Sequence, residues 1–142
     1  ATAQIDDDLL KKSYILIPNE TELFLLAGED GLNLDRIDEV IEKVYRRGVN
    51  NLIVTLGDKG SLYYNGEKKL VFESKKVKAA DTTAAGDSFI GALVTGLVEG
   101  KTIEEAIKFA SYAAALTVTK LGAQSSLPTR VEVESFIINS LN

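Results

Sequence analysis

The sequence of 142 residues contains no cysteine, no histidine and no methionine. Without cysteine the chain can form neither a disulfide framework nor a thiolate metal site. Without histidine, imidazole-based catalytic triads and imidazole-bound zinc sites are excluded. Any acid–base chemistry therefore falls to Asp, Glu, Lys or Tyr side chains. The absence of methionine, even at position 1, is what we expect of a fragment, a processed chain or a trimmed chain.

Long apolar runs and clusters of basic residues are also missing. The longest apolar runs, such as residues 14–18 and 113–116, are far shorter than the roughly 20 residues that span a bilayer. The N-terminus has no basic segment followed by an apolar stretch. The net charge is −5 with Lys and Arg scattered, so no basic face for nucleic acid is evident. We expect a cytoplasmic protein without nucleic-acid or membrane partners.

What the sequence does contain is an ordinary globular composition, 45% hydrophobic and 26% charged, which predicts a single domain with a core. Residues 14–18 and 51–56 are apolar runs that predict buried strands. Residues 21–27 and 35–47 have helical patterns that end at glycines. A strand, helix, strand order with short links predicts a parallel pair with a crossover helix.

A hairpin is predicted next, because residues 61–64 and 69–73 flank Asn65-Gly66, a pair that suits a type I′ turn. Residues 74–78 are expected to continue as a further edge strand. With the preceding elements, this pattern predicts a single α/β domain.

The remainder of the chain predicts loops and helices. A small-residue loop at 79–85 leads into an apolar helix at 86–98. Thr102 with Glu105, and Thr129 with Glu132, have the spacing of capping boxes that begin two further helices. The segment 96–102 is similar to a phosphate-binding P-loop, but it has three residues between its glycines where that motif needs four, so we interpret it as a helix end followed by a helix start.

The segment from Ala80 to Phe89 has the strongest chemical signal. It is a loop of small residues that feeds directly into a helix, whose first N–H groups lack intrahelical partners and carry the positive end of the helix dipole. Small residues at positions 84–86 let an anion approach the backbone closely. Asp87 then lies where a carboxylate accepts a proton from an attacking hydroxyl. The alternative is that Asp87 only stabilises the start of the helix.

The stretch from Asp81 to Ala92 resembles the C-terminal signature of the ribokinase-type, or PfkB, carbohydrate kinases. The resemblance implies that Asp87 is the catalytic base and that the backbone of Ala84, Ala85 and Gly86 forms the anion hole. It implies a Rossmann-like three-layer α/β/α sandwich, of which this chain is the C-terminal half with a β-hairpin. The N-terminal sugar-binding half and the β-sheet lid of the family are absent from the sequence.

Further segments agree with the family in order. Asn19 to Glu22 resembles the family's Asn-x-x-Glu motif, and the resemblance implies that Glu22 helps to hold Mg²⁺ through water. The alternative is that Glu22 is an ordinary acid in the first turn of a helix. The residues implied to border ATP are Asn19, Thr55, Gly57, Asp58, Lys59, Gly60, Gly86 and Ser111.

The segment 122–128 resembles the tail of ribokinases in particular, which implies a monovalent-cation site beside the anion hole. Carried over by position, the residues implied to hold K⁺ are Asp81, Thr83, Thr117, Lys120, Gly122 and Ser126. Most of them would act through backbone carbonyl oxygens, and the cation would organise the anion-hole loop.

By resemblance, the parent protein transfers a phosphoryl group from ATP to a sugar hydroxymethyl group, with D-ribose favoured and ribose 5-phosphate as the product. The alternatives are another PfkB-type sugar or nucleoside kinase, a non-catalytic nucleotide-binding module, and a structural or partner-binding module. The parent is expected to dimerise through the missing lid. The chain alone is expected to bind nucleotide weakly and to turn over sugar poorly.

Overall fold

The computed structural model describes residues 5–140, which form two compact units, one ending at Glu73 and the other beginning at Ser74. The helices in this range are α1 (Asp7–Lys12), α2 (Glu20–Leu26), α3 (Ile37–Tyr45), α4 (Ala85–Val98), α5 (Ile103–Thr117) and α6 (Arg130–Ser140). The strands are β1 (Leu52–Thr55), β2 (Ser61–Tyr64) and β3 (Lys69–Phe72). None of these helices is long and apolar enough to cross a bilayer. The organisation as one domain stays a prediction.

The first unit contains a three-stranded antiparallel sheet in the order β1-β2-β3. Strand β1 is a continuous apolar run, which suits a strand buried on both faces, whereas β3 alternates, which suits a strand buried on one face. All residues of β1 from Leu52 to Val54 are buried, whereas β3 alternates between exposed and half-buried positions. Helices α1, α2 and α3 contribute to one apolar core with this sheet.

The predicted hairpin of β2 and β3 is confirmed, but its predicted type I′ turn is wrong. Tyr64 pairs with Lys69, so the loop has four residues, and Gly66 has a positive φ of 87° while Asn65 does not. The Asn65 side-chain oxygen instead accepts hydrogen bonds from the N–H groups of Glu67 (3.1 Å) and Lys68 (2.8 Å). The asparagine therefore closes the turn with its side chain rather than with a left-handed backbone.

The predicted parallel pairing is present, but residues 14–18 do not form a regular strand. Leu16 pairs with Leu52 and Asn19 with Thr55 as isolated parallel bridges. The N–H of Thr55 donates to the Pro18 carbonyl at 3.0 Å. Proline has no N–H to continue the ladder, which limits regular pairing here. The predicted edge strand at 74–78 is wrong, because that segment has no regular secondary structure.

The helix predicted from residue 35 begins later, because Leu34–Arg36 form a turn of 3₁₀ helix before α3. The helical pattern of this segment places Ile37, Val40, Ile41 and Val44 on one face, and of these Val40, Ile41 and Val44 are buried while Ile37 is half-buried. Gly48 ends the helix with a φ of +106°, a conformation that L side chains rarely adopt.

The second unit pairs α4 closely with α5. A Cβ placed on Gly96 would lie 3.2 Å from the Cβ of Ala106, and Ala106, Ala110 and Ala113 are buried on the facing side of α5. Both predicted capping boxes are confirmed by their hydrogen bonds at Thr102 and Thr129. The segment 96–102 is a helix end followed by a helix start, as predicted.

Candidate functional site

The start of α4 is held by backbone contacts of the loop that precedes it. The N–H groups of Ala80 and Asp81 donate to the Val118 carbonyl at 2.7 and 3.2 Å, beyond the end of α5. The N–H of Ala85 donates to the Thr82 carbonyl at 3.2 Å, which turns the chain into the helix. Ala84 occupies the N-cap position, where its methyl side chain offers no hydrogen bond to the helix.

The first turn of α4 leaves backbone donors open. Among residues 5–140, no group accepts a hydrogen bond from the N–H of Gly86 or Asp87. A Cβ added to Gly86 would meet nothing within 4 Å, so the backbone there borders open space. Open donors at the positive end of a helix dipole suit an anion. Three residues were predicted to form the anion hole with their backbone N–H groups. The N–H of Ala85 already donates to the Thr82 carbonyl, whereas no described group accepts from the N–H of Gly86.

Asp87 is exposed beside these donors. It lines a pocket of about 270 Å³ formed by α4, α5 and residues 127–133. The other lining residues are Ser88, Gly91, Ala92, Thr95, Phe109, Ala113, Leu127, Pro128, Arg130 and Val133. Asp87 therefore borders a crevice. Its catalytic role stays a prediction.

A pair of buried hydroxyl groups fixes this end of α4, and sequence reasoning missed it. The hydroxyl of Ser88 lies 2.7 Å from that of Thr117, and the Thr117 hydroxyl lies 2.9 Å from the Ala113 carbonyl. Both residues are buried. The pair ties the first turn of α4 to the last turn of α5, so Thr117 acts through its side chain as well as occupying a position implied to hold K⁺. The adjacency of a serine to Asp87 was the available signal.

Asp81 organises the loop with both carboxylate oxygens. Its Oδ1 accepts from the N–H (2.9 Å) and hydroxyl (2.6 Å) of Thr83, and its Oδ2 accepts from the N–H of Gly122 (3.1 Å). The Thr83 hydroxyl, followed by the N–H groups of Thr83 and Gly122, lowers the pKa of Asp81 below its ordinary value. Three of the residues predicted to hold K⁺ are thus in direct contact.

The other residues of that set have separate partners. The Thr117 carbonyl accepts from the N–H of Lys120 at 3.1 Å, and the Lys120 ammonium pairs with Glu132 at 2.7 Å. The Ser126 hydroxyl is buried and donates to the Ala123 carbonyl at 2.6 Å. The atoms of these residues that could coordinate a cation are carbonyl and hydroxyl oxygens, and oxygen ligands suit a hard cation better than a soft metal. No group of three or more Asp or Glu residues within 5–140 is arranged to hold a metal.

In the first unit, Asn19 and Glu22 form a capping box at the start of α2. The Asn19 side chain accepts from the N–H of Glu22, and the Glu22 Oε2 accepts from the N–H of Asn19, both at 2.9 Å. This box alone accounts for both residue types. The Oε1 of Glu22 accepts no hydrogen bond from any described residue and is exposed, which leaves one oxygen for a hydrated cation.

The remaining residues predicted to border ATP lie in both units. Thr55 pairs with Asn19 at the carboxyl end of β1, where ligands gather in α/β sheets. Gly57–Lys59 form a turn of 3₁₀ helix ended by Gly60, with Asp58 and Lys59 exposed. Ser111 is half-buried on α5, and its hydroxyl donates to the Ile107 carbonyl at 2.9 Å, which already satisfies that donor.

Comparisons with known proteins show the family to which this chain belongs. Residues 2–130 match the pfkB family of carbohydrate kinases. The chain is 42% identical to the ribokinase of Haemophilus influenzae over 138 residues, and 44% identical to fructokinase-1 of Oryza sativa over 122 residues. These matches cover 96% and 81% of this chain, but only 45% and 36% of the two relatives.

Solved structures show the same fold. The ribokinase of Thermotoga maritima superimposes with a TM-score of 0.87 at 46% identity, covering 96% of this chain and 46% of that one. The ribokinase of Arabidopsis thaliana, solved with ribose and ATP, superimposes with a TM-score of 0.88 at 37% identity, covering 96% and 45%. The predicted ribokinase-like α/β fold is therefore confirmed, and the chain spans a little under half the length of these relatives.

Proposed function

The chain belongs to the pfkB family of carbohydrate kinases, and we propose that it forms the part of an ATP-dependent sugar kinase that carries the catalytic base and contacts the nucleotide. The single observation that carries this proposal is the start of α4, where an exposed carboxylate adjoins backbone donors that no described residue uses. Family relatives of known name are ribokinases, fructokinases and deoxyribokinases.

Asp87 acts as the general base in the proposed reaction. Its carboxylate accepts the proton of the sugar hydroxymethyl group while the hydroxyl oxygen bonds to the γ-phosphorus, and ADP leaves with the electrons of the broken bond. Positioning and charge stabilisation dominate phosphoryl transfer, and a base of this kind contributes about 10²–10⁴-fold in rate. The Ser88–Thr117 hydroxyl pair holds the turn from which Asp87 projects.

The backbone donors of Gly86 and Asp87 stabilise the negative charge that develops on the transferred group. Because Gly86 has no side chain and borders open space, phosphate oxygens can approach these donors directly. Glu22 would hold Mg²⁺ through water by its unused oxygen, and the carbonyl oxygens around Asp81 would hold K⁺. These cations would supply positive charge against the phosphates and order in the loop.

We propose D-ribose as the acceptor and ribose 5-phosphate as the product, because residues 122–128 resemble the ribokinase tail. Fructokinase-1 of rice is as similar to this chain as the bacterial ribokinase is, so identity alone does not choose the sugar. The specificity residues are expected in the part of the relatives that this chain does not match.

Nucleotide binding is tested on the chain itself by following its Tm while MgATP is added. A ligand that binds only the folded state raises Tm by mass action, and a tenfold excess over Kd should raise it by about 3–5 °C. Adenosine, which lacks phosphates, serves as the control and should give a smaller shift. The titration should extend to about 10 mM MgATP, so that even weak binding would be detected. If Tm does not shift at that concentration, the chain does not bind nucleotide.

Turnover is tested on a chimera in which this chain replaces the matching part of the Haemophilus influenzae ribokinase, so that the rest of that enzyme keeps its place in the sequence. The chimera should release ADP when ATP and ribose are supplied, which tests the base and the nucleotide contacts of this chain, whereas its choice among sugars is expected to follow the rest of that enzyme. The chain alone should release ADP at a small fraction of the chimera's rate, because the rest of the enzyme orients the sugar and excludes water. Equal rates for the chain and the chimera would contradict this division of labour.

A further inference from the structure

The turn between β2 and β3 contains Asn65, the only asparagine of the sequence that precedes a glycine. Asparagine is a thermolabile residue, because its side-chain amide can react with the backbone nitrogen of the next residue. A glycine in that next position has no side chain to hinder the approach. The reactivity of Asn65 therefore depends on how the folded turn holds these two residues.

The backbone nitrogen of Gly66 has no partner in the turn. Among residues 5–140, no group accepts a hydrogen bond from its N–H. Gly66 is exposed and lies in the loop outside both strands. In a strand the ladder would hold this N–H, whereas here it is open to base from the solvent.

The side-chain carbonyl of Asn65, by contrast, is held by two backbone donors. Its Oδ1 accepts hydrogen bonds from the N–H groups of Glu67 at 3.1 Å and Lys68 at 2.8 Å. When a nucleophile adds to Cγ of Asn65, negative charge develops on this oxygen, and donors at these distances stabilise that charge. The turn therefore activates the carbonyl in the manner of an oxyanion hole.

The packing of the hairpin on α3 requires the glycine. A Cβ added to Gly66 would lie 2.3 Å from the hydroxyl oxygen of Tyr45. That hydroxyl donates to the main-chain carbonyl of Asn65 at 2.9 Å, and the Tyr45 ring packs edge-on against Tyr64 with centroids 5.1 Å apart. A larger residue at position 66 would break these contacts, so the reactive pair is part of the fold.

We propose that Asn65 is a site of spontaneous deamidation and that the folded turn promotes the reaction. The Gly66 nitrogen gives its proton to solvent base and bonds to Cγ of Asn65, and the side-chain nitrogen leaves as ammonia after taking a proton from water. Water then opens the resulting succinimide ring at either carbonyl, which gives aspartate or isoaspartate. Each event adds one negative charge to the chain's −5. The reaction involves neither nucleotide nor sugar, so it is independent of the proposed kinase activity.

Asn33 is the matched comparison within the chain. Its Oδ1 accepts from one backbone donor, the N–H of Asp35 at 3.1 Å, and its following residue is Leu34, whose side chain hinders attack. Asn33 is exposed, whereas Asn65 is half-buried. If exposure decided the rate, Asn33 would react faster, and if the turn and the glycine decide it, Asn65 reacts faster.

The test incubates the purified chain in mildly alkaline buffer and follows deamidation by mass spectrometry of tryptic peptides. Asn65 is the only asparagine of peptide 60–68, and Asn33 lies in peptide 13–36. Deamidation raises the mass of a peptide by about 1 Da. Asn65 should be converted at least about tenfold faster than Asn33, a smaller factor than one donor supplies in an enzyme. It should also react no slower in the folded chain than in the chain unfolded in guanidinium chloride, where the two donors no longer hold Oδ1.

Asn65→Asp is the control variant. On ion exchange the wild type should accumulate a species with one additional negative charge, and the variant should not accumulate it at the same rate. A slower reaction in the folded chain than in the unfolded one would show that the turn protects Asn65, and would overturn the proposal. Equal rates at Asn33 and Asn65 would overturn it as well, as would an acidic species that the variant accumulates as fast as the wild type.

Discussion

At the start of α2, two side chains and two backbone N–H groups satisfy one another, whereas at the start of α4 no side chain does so. Asn19 and Glu22 close the first helix with hydrogen bonds of 2.9 Å. At the start of α4, the corresponding positions are occupied by Ala84 and Gly86, which leave backbone N–H groups without a partner among the described residues. Helices α5 and α6 follow the pattern of α2.

This difference separates helix starts that the chain stabilises with its own side chains from one that a bound ligand would stabilise. A missing side-chain cap costs about 1 kcal/mol, and a glycine in place of alanine within a helix costs about 0.5–1 kcal/mol. Helix α4 carries both costs at the same turn, although the chain caps other helices well. An anion that binds the open donors would offset these costs, and the predictions below test that explanation.

The largest effect is expected from Asp87→Asn in the chimera. The amide keeps the shape of the side chain but is a far weaker base, so kcat should fall about 10²–10⁴-fold. The Tm shift with MgATP should stay nearly the same, because the backbone donors are intact. Coupled ADP-release assays measure the first quantity and thermal melts the second. Turnover that is unchanged by this substitution would remove Asp87 from the chemistry and reduce it to a first-turn helix acid.

The next largest effect is expected from Gly86→Ala. A methyl group there meets no protein atom within 4 Å, so it should not lower Tm, but it would occupy the space through which phosphate approaches the donors. Turnover of the chimera should fall about 100-fold, comparable to the loss of one oxyanion donor.

Gly96→Ala is the matched comparison on the same helix. Its new methyl group would lie 3.2 Å from the Ala106 Cβ, tighter than ordinary contact, so it should lower Tm through packing against α5. If Gly86→Ala lowers Tm as much as Gly96→Ala does, the glycine at 86 serves the fold rather than a ligand.

Local chemistry explains which parts of the structure the sequence predicted. The capping boxes at Thr102 and Thr129 involve residues three apart, so their hydrogen bonds depend little on the rest of the chain. The prediction of a two-residue turn at Asn65 was wrong because asparagine can stabilise a turn in a second way. Its side-chain oxygen accepts a hydrogen bond from the backbone, and this conformation competes with a positive φ.

Long-range contacts explain what the sequence did not predict. Residues 14–18 have a strand composition, but a regular strand depends on pairing partners that composition does not specify. The pocket beside Asp87 joins residues from α4, α5 and the segment 127–133, and only the folding of the second unit brings them together. The Ser88–Thr117 pair spans 29 positions for the same reason.

A smaller effect is expected at α2, where capping and cation binding are separable. Glu22→Gln keeps an oxygen that can accept from the N–H of Asn19, so the capping box and Tm should be largely preserved. The charge that would attract hydrated Mg²⁺ is lost, so the chimera should need about tenfold more Mg²⁺ for half-maximal turnover. Glu22→Ala removes both functions and should lower Tm as well. An unchanged Mg²⁺ requirement in both variants would leave Glu22 with the capping role alone.

The smallest effect is expected in acid and concerns the capped helices only. The Lys120 ammonium, followed by the N–H and hydroxyl of Thr129, lowers the pKa of Glu132 to about 2. Because the folded pKa lies below the unfolded one, Glu132 stabilises the fold above the unfolded pKa of about 4.3, and this contribution disappears as pH falls toward 2. Wild type and Glu132→Gln should therefore differ in Tm at pH 6 and converge toward pH 2. A difference that persists at pH 2 would show that the α6 cap does not depend on this charge.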